Sequence, residues 1–169
     1  FSKGKDILKI PQPIIMKNGS KIMSLIDGSK KMSKSDPNAG SRINLLDTPE
    51  IISKKIKRAK SDSFNGIEFH NPDRAESRNL LMIYSLLSGK EISQCENEFS
   101  DTGWGTFKKL IAEQLIESLE PIQEKYKVLI NDPYQLNNIL KDGKDKAEDL
   151  ANKTLKRVKS KLGFFEMEK

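Results

Sequence analysis

Residues that build covalent or metal-held frameworks are nearly absent from this chain. Its 169 residues contain one cysteine, Cys95, and one histidine, His70. One cysteine forbids an intrachain disulfide and a cysteine-rich metal site; one histidine forbids a His-pair site and makes any Ser-His or Cys-His dyad depend on His70. Long hydrophobic runs are missing too. Nothing approaches the roughly 18 uninterrupted apolar residues of a spanning helix, and no segment has a signal-peptide pattern. A membrane role is disfavoured, and a reducing cytosol is the expected setting. The acidic residues have no spacing that demands a metal, so magnesium is expected to arrive with a nucleotide. Fixed-period repeats and low-complexity tracts do not occur.

What the chain has is positive charge, unevenly placed. Thirty Lys and Arg face 24 Asp and Glu, a net +6. Residues 1–60 hold fourteen cations against five anions, a balance of +9, and the remainder sixteen against nineteen, −3. The basic part points towards a polyanion, either the phosphates of a nucleotide or an RNA backbone, with contacts that salt weakens. Residues 30–40, Lys-Lys-Met-Ser-Lys-Ser-Asp-Pro-Asn-Ala-Gly, concentrate cations and hydroxyls where Gly28, Pro37 and Gly40 keep helix and strand from running through. Such a loop can close over phosphates, its ammonium groups acting as charge-assisted donors. Charge alone does not separate it from solvated surface; the identity of the residues does.

Lys31-Met32-Ser33-Lys34-Ser35 is similar to the second signature of the class I aminoacyl-tRNA synthetases. Around it, Lys21-Ile22-Met23-Ser24-Leu25, Asp27 and Asp36-Pro37-Asn38 resemble the form this loop takes in bacterial-type tryptophanyl-tRNA synthetases. Downstream, Ile56-Lys57-Arg58-Ala59, Ser77-Arg78-Asn79-Leu80-Leu81 and Pro121-Ile122-Gln123-Glu124-Lys125-Tyr126 keep the look of that family. The resemblance implies a tryptophan–tRNA ligase, which joins tryptophan to ATP, releases pyrophosphate and passes the amino acid to tRNA(Trp). It also implies roles for individual residues. Lys31 and Lys34 are the catalytic candidates, stabilising the leaving pyrophosphate; Met32, Ser33 and Ser35 belong to the same ATP-contacting segment, and Ile22 matches a position near the adenine. In that family a His-Ile-Gly-His-like nucleotide motif, the tryptophan pocket and most of the dimer surface lie upstream, and none is in this sequence. The expectation is therefore the C-terminal portion of a cytoplasmic, homodimeric enzyme that uses ATP with Mg2+, a portion inactive by itself.

Residues 1–13 begin without an initiating Met, carry no clear capping or strand signal, and read as a cut edge. Asn18-Gly19, between apolar runs at residues 13–16 and 22–25, predicts a tight hairpin turn. Residues 43–46 offer a third extended run. So few strands form no independent sheet, and residues 1–46 are expected to be the short α/β end of a nucleotide-binding, Rossmann-like catalytic domain. Residues 47–169 read as a helical domain, to which the resemblance assigns recognition of the tRNA anticodon. The fold class is mainly α. Asp47 or Thr48 caps a first helix with Pro49 in its first turn and Ile51, Ile52, Ile56 and Ala59 as its stripe. Residues 73–88 form the most apolar helix, closed by Gly89, and residues 91–99 a short one. A long helix from Thr106 is kinked at Pro121. Asn131-Asp132-Pro133 ends it, residues 133–140 start a short helix, and after Asp142-Gly143 a last helix buries Ala147, Leu150, Ala151, Thr154, Leu155, Val158 and Leu162, with Gly163 stopping it before a frayed tail.

Other candidates carry two readings each. Lys54, Lys55, Lys57, Arg58 and Lys60 meet RNA phosphates or solvent. Trp104, between two glycines, stacks on a base or anchors one helix against another. His70 reads as structural, and Cys95, without a nearby cation, as inert. Beside the synthetase reading stand an RNA-binding helical module without ATP chemistry, an interaction scaffold with a solvated loop, and a related class I synthetase such as the tyrosine enzyme.

Overall fold

The computed structural model describes residues 10–164. The cut edge read for the opening residues falls largely outside that range, and so does the frayed tail. Among the described residues five helices follow one another: α1 Pro49–Arg58, α2 Ala75–Ser88, α3 Ile92–Phe99, α4 Trp104–Ile130 and α5 Pro133–Leu162, with a 3-10 turn at Ala39–Ser41 ahead of them. The fold is mainly α, as expected.

The short strands are not there. Among the described residues there is one isolated antiparallel bridge, between Met23 and Lys31. The chain reverses at residues 27–29 rather than at Asn18-Gly19. There the Ser29 N–H and hydroxyl donate to Asp27 Oδ1 at 3.1 and 2.6 Å. An aspartate that bonds two residues ahead closes a turn as well as Asn-Gly does, and across it residues 22 and 24 bond to residues 32 and 30.

Residues Ile15–Lys125 form one compact unit. Thr48 caps α1 by accepting the Ile51 N–H, and Pro49 occupies its first position, which has no intrahelical use for an N–H. Ile52, Ile56 and Ala59 are buried, while Ile51 points outward. Helix α2 buries Leu80, Leu81, Ile83 and Tyr84 and ends at Gly89, whose φ of 69° suits glycine. A reciprocal Glu91–Gln94 capping box starts α3. Helix α4 starts with Trp104, two residues before the expected Thr106, and continues through Pro121. Tyr84, Phe99 and Phe107, one from each of α2, α3 and α4, meet at the centre, with ring centroids 4.9 Å apart for Tyr84–Phe99 and 4.8 Å for Phe99–Phe107. Burying side chains of this size contributes about 1.5–3 kcal/mol each, and this cluster fixes the three helices together.

The chain from Tyr126 onward belongs to a second unit. Asp132 caps α5 by accepting the Gln135 N–H at 2.9 Å, and Gly163 ends it with a φ of 75°. Gly143 does not divide this helix. A glycine inside a helix costs roughly 1 kcal/mol, too little to break a run of good helix formers on both sides. The stripe read as buried is exposed except for the half-buried Val158: α5 has no buried residue, and Leu150 is 68% and Leu155 48% exposed. Helical periodicity marks an apolar face, not a covered one.

Candidate functional site

The signature loop is tied at its base and open at its tip. The Met32 N–H donates to the Ile22 carbonyl at 2.9 Å and the Ser24 N–H to the Lys30 carbonyl at 2.8 Å, which narrows the chain into the bridge opposite Met23. Ile22 and Met32 are half-buried and line an apolar cavity of about 200 Å3 with Leu25, Ile43, Ile83 and Leu87. Lys31, Ser33, Lys34 and Ser35 are exposed. The Ser33 and Ser35 hydroxyls share a 3.1 Å hydrogen bond, and the Ser35 N–H donates to Ser33 Oγ at 3.3 Å. The sequence therefore brings the six candidates onto one short loop, with two facing the core and four facing solvent.

Beyond the tip a polar relay carries the chain back to α1. Asp36 and Asn38 each accept the N–H two residues ahead, at 2.8 and 2.9 Å. Arg42 Nη1 donates to the Asp36 carbonyl at 2.8 Å and its Nε to Asn44 Oδ1 at 3.1 Å. Asn44 donates its N–H and its amide to the two Asp47 oxygens, and Lys55 of α1 closes the series on Asp47 Oδ2. Burial pushes the Asp47 carboxyl up, but the hydrogen bonds from Lys55 and Asn44 outweigh it and hold the group below the usual carboxylate range. Gln123 of α4 then donates to the Leu45 and Asp47 carbonyls at 2.9 and 3.0 Å.

The base has its own supports. The Leu25 N–H donates to the Ser41 carbonyl at 2.9 Å, and the Lys60 N–H to the Leu25 carbonyl at 2.7 Å. From α2, Asn79 bonds both polar backbone atoms of Met23 at 2.8 Å. Gly28 lies so close to α2 that an added Cβ would stand 2.9 Å from backbone atoms of Ala75 and Glu76. Lys60 Nζ is 2.8 Å from Glu76 Oε1; this hydrogen bond holds the Glu76 carboxyl low against burial, with help from the Gly28 N–H.

A second cleft, about 510 Å3, runs between α1 and α4, lined by Ser53, Lys57, Trp104, Lys108, Lys109 and Glu113 among others. Lys108 Nζ donates to the Ala59 carbonyl at 2.6 Å and to Ser61 Oγ at 3.0 Å, closing the end of α1, and stands 5.6 Å from the Trp104 ring centre. Burial pushes this ammonium down. Trp104 is half-buried against Phe107 and donates its indole N–H to Asp62 Oδ1 at 3.3 Å, so it anchors a helix and also lines the cleft. Asp62 is gripped in turn by the fully buried Arg74, through Nε at 2.9 Å and Nη2 at 3.0 Å.

Of the remaining candidates, Lys55 and Lys60 are paired with carboxylates, whereas Lys54, Lys57 and Arg58 are exposed. His70 is an exposed loop residue 3.7 Å from Glu96, whose other oxygen accepts the Phe69 N–H at 2.7 Å. Cys95 is buried, and burial pushes its thiol up, away from nucleophilic use. Among the described residues no three His, Cys, Asp or Glu side chains gather as a metal site. Asn79 and Gln123 lie in stretches that carry the resemblance, but the sequence assigns neither a role; Arg42 and Lys108 carry no sequence signal at all. For Asn79 a further signal exists, an amide inside the most apolar helix; nothing local distinguishes Arg42 and Lys108 from surface polar residues.

The family model for tRNA synthetases class I (W and Y) matches residues 2–120. The chain is 77% identical to the tryptophan–tRNA ligase of Prochlorococcus marinus subsp. pastoris, across all of this chain and 50% of that protein. It is 47% identical to the chloroplastic/mitochondrial tryptophan–tRNA ligase of Arabidopsis thaliana, over 97% of this chain and 40% of the relative. The crystal structure of tryptophanyl-tRNA synthetase from Mycoplasma pneumoniae superposes with a TM-score of 0.84 at 32% identity, covering 94% of this chain and 48% of that one. The chain thus spans about half the length of the curated relatives it matches.

Proposed function

The chain belongs to the class I tRNA synthetases of the tryptophan and tyrosine group, and from that premise we propose that it supplies the signature loop and the helical half of a tryptophan–tRNA ligase. In this reading residues 1–46 end the catalytic domain and residues 47–169 form the helical domain that meets tRNA(Trp). ATP enters with its Mg2+ as substrate, tryptophan and the homodimer contact lie with the other half, and the enzyme works in the cytoplasm.

The supporting observation is a loop whose two ends are fixed while its cations stand in solvent. In adenylate formation the tryptophan carboxylate attacks the α-phosphorus of ATP. The bond from that phosphorus to the oxygen bridging the β-phosphorus breaks, and pyrophosphate leaves with the electron pair. Negative charge grows on the departing group, and Lys31 and Lys34 offer ammonium groups to it. Donors already in place stabilise this charge more in the transition state than in the ground state. Met32 and Ile22 seat the loop on the core, and the paired hydroxyls of Ser33 and Ser35 can exchange their mutual bond for phosphate oxygens. Closure over the nucleotide excludes water and strengthens each contact. The cleft beside Trp104 offers tRNA an aromatic face and the ammonium groups of Lys57 and Lys109, Lys108 being engaged at the end of α1, the chemistry that unpaired bases and phosphates use.

Lys34→Ala in the intact ligase is expected to slow tryptophan-dependent ATP–pyrophosphate exchange by about 100-fold or more, the usual effect of removing one such donor. An unchanged rate would remove Lys34 from the mechanism. Exchange supported by tyrosine in place of tryptophan would move the protein to the other branch of its family. RNA binding with no amino-acid-dependent exchange would favour a helical binding module.

A further inference from the structure

We propose that Asn79 is a positioning residue for the signature loop, acting as the missing strand partner of Met23 and so setting where Lys31 is presented. The inference rests on the ligase reading for its catalytic consequence, though not for its geometry.

Antiparallel pairing alternates. Ile22 and Ser24 direct their bonded groups inward, to Met32 and Lys30, which turns the N–H and carbonyl of Met23 to the opposite edge, where no strand follows. Asn79 fills that place. The Met23 N–H donates to its Oδ1 and its Nδ2 donates to the Met23 carbonyl, both at 2.8 Å across 56 residues of sequence. A carboxamide carries one donor and one acceptor side by side, the pattern a neighbouring peptide would present. Asn79 is only 5% exposed, so water cannot substitute freely.

One helical turn earlier, on the same face of α2, Glu76 binds Lys60 at 2.8 Å. At that turn the Gly28 backbone packs against Ala75 and Glu76 with no room for a side chain. Two successive turns of α2 thus hold the loop at Met23 and at Gly28. Helix α2 is itself locked in the core through Leu80, Leu81 and Tyr84. Lys31 stands directly opposite Met23 in the bridge, so a shift of Met23 along α2 moves Lys31 with it. Asn79 touches neither nucleotide nor amino acid in this scheme; it acts through the loop.

The test uses the intact ligase with Asn79→Ala, the same-sized Asn79→Asp, and Ser85→Ala as control. Ser85 is buried at the other end of α2 and donates to the Lys90 carbonyl at 2.7 Å, so its loss removes a comparable bond away from the loop. Asn79→Asp keeps the acceptor for Met23 but sets a carboxylate against its carbonyl. Amide hydrogen exchange over residues 22–32 is expected to quicken about tenfold in both Asn79 variants and not in Ser85→Ala. In the same variants kcat/KM for ATP should fall about tenfold while KM for tryptophan stays within about twofold. Unchanged protection of residues 22–32 would overturn the proposal, as would equal kinetic losses in Asn79→Ala and Ser85→Ala. Should the unmodified protein give no tryptophan-dependent pyrophosphate exchange, the ligase reading fails and the hydrogen-exchange comparison alone decides the role of Asn79.

Discussion

Arg74 and Asp62 bind twelve residues apart in sequence, and their pairing draws in the indole of Trp104 and the carbonyl of Gly66. Burial pushes the Asp62 carboxyl up, yet the Arg74 hydrogen bonds, with those of Phe64 and Trp104, hold it below the usual range. A carboxyl lowered on folding stabilises the protein above its unfolded pKa, and that stability is lost as pH falls through the folded value. For Asp62, and for Asp47 by the same argument, the loss sets in below about pH 4. Urea midpoints measured from acid to neutral pH should therefore climb in this window. Asp62→Asn should flatten the climb and cost about 3 kcal/mol at neutral pH, because the buried guanidinium loses its hydrogen-bonded counter-charge and keeps only Glu68 at 3.7 Å. A variant as stable as the parent, with the same acid limb, would show that the pair contributes little.

Helix α5 shows where local signals mislead. Asp142-Gly143 reads as a separator, yet the helix runs through it, and an added Cβ at Gly143 has nothing within 4 Å. Gly143→Ala should raise stability of α5 by about 0.5–1 kcal/mol, seen as a higher helical melting temperature by circular dichroism. A drop would mean the glycine serves a contact not described. Some helix ends are legible because they depend on neighbours: Thr48-Pro49 opens α1, and Gly89 and Gly163 close theirs, whereas α4 starts two residues early and α5 runs unbroken from Pro133. Pairing and burial were not readable, because they depend on distant partners. Ile22 to Leu25 fit a hairpin at Asn18-Gly19 as well as one at residues 27–29, and only the Asp27 side chain, with Asn79 beyond it, decides between them. The same limit applies to the candidate site. Its cations are visible in five adjacent letters, whereas the supports that hold them, Arg42 apart, come from α2, α1 and α4.

Among the described residues, all of the buried apolar core lies within residues 25–119. A chain of residues 15–130 is therefore expected to unfold cooperatively, with a melting temperature within about 5 °C of the 169-residue chain; a broad, non-cooperative transition would show that the rest contributes to the core after all. The same view alters how the basic sequence is weighed. Lys30 lies 3.3 Å from Asp27, Lys55 is held on Asp47 and Lys60 on Glu76. Salt sensitivity of binding counts only cations that displace condensed ions from phosphates. Charges already paired with a carboxylate weigh less in that count, so the slope of affinity against salt should report fewer phosphate contacts than the +9 of residues 1–60 suggests. Those pairs convert part of the chain's apparent affinity for polyanions into rigidity of the surface that presents the rest.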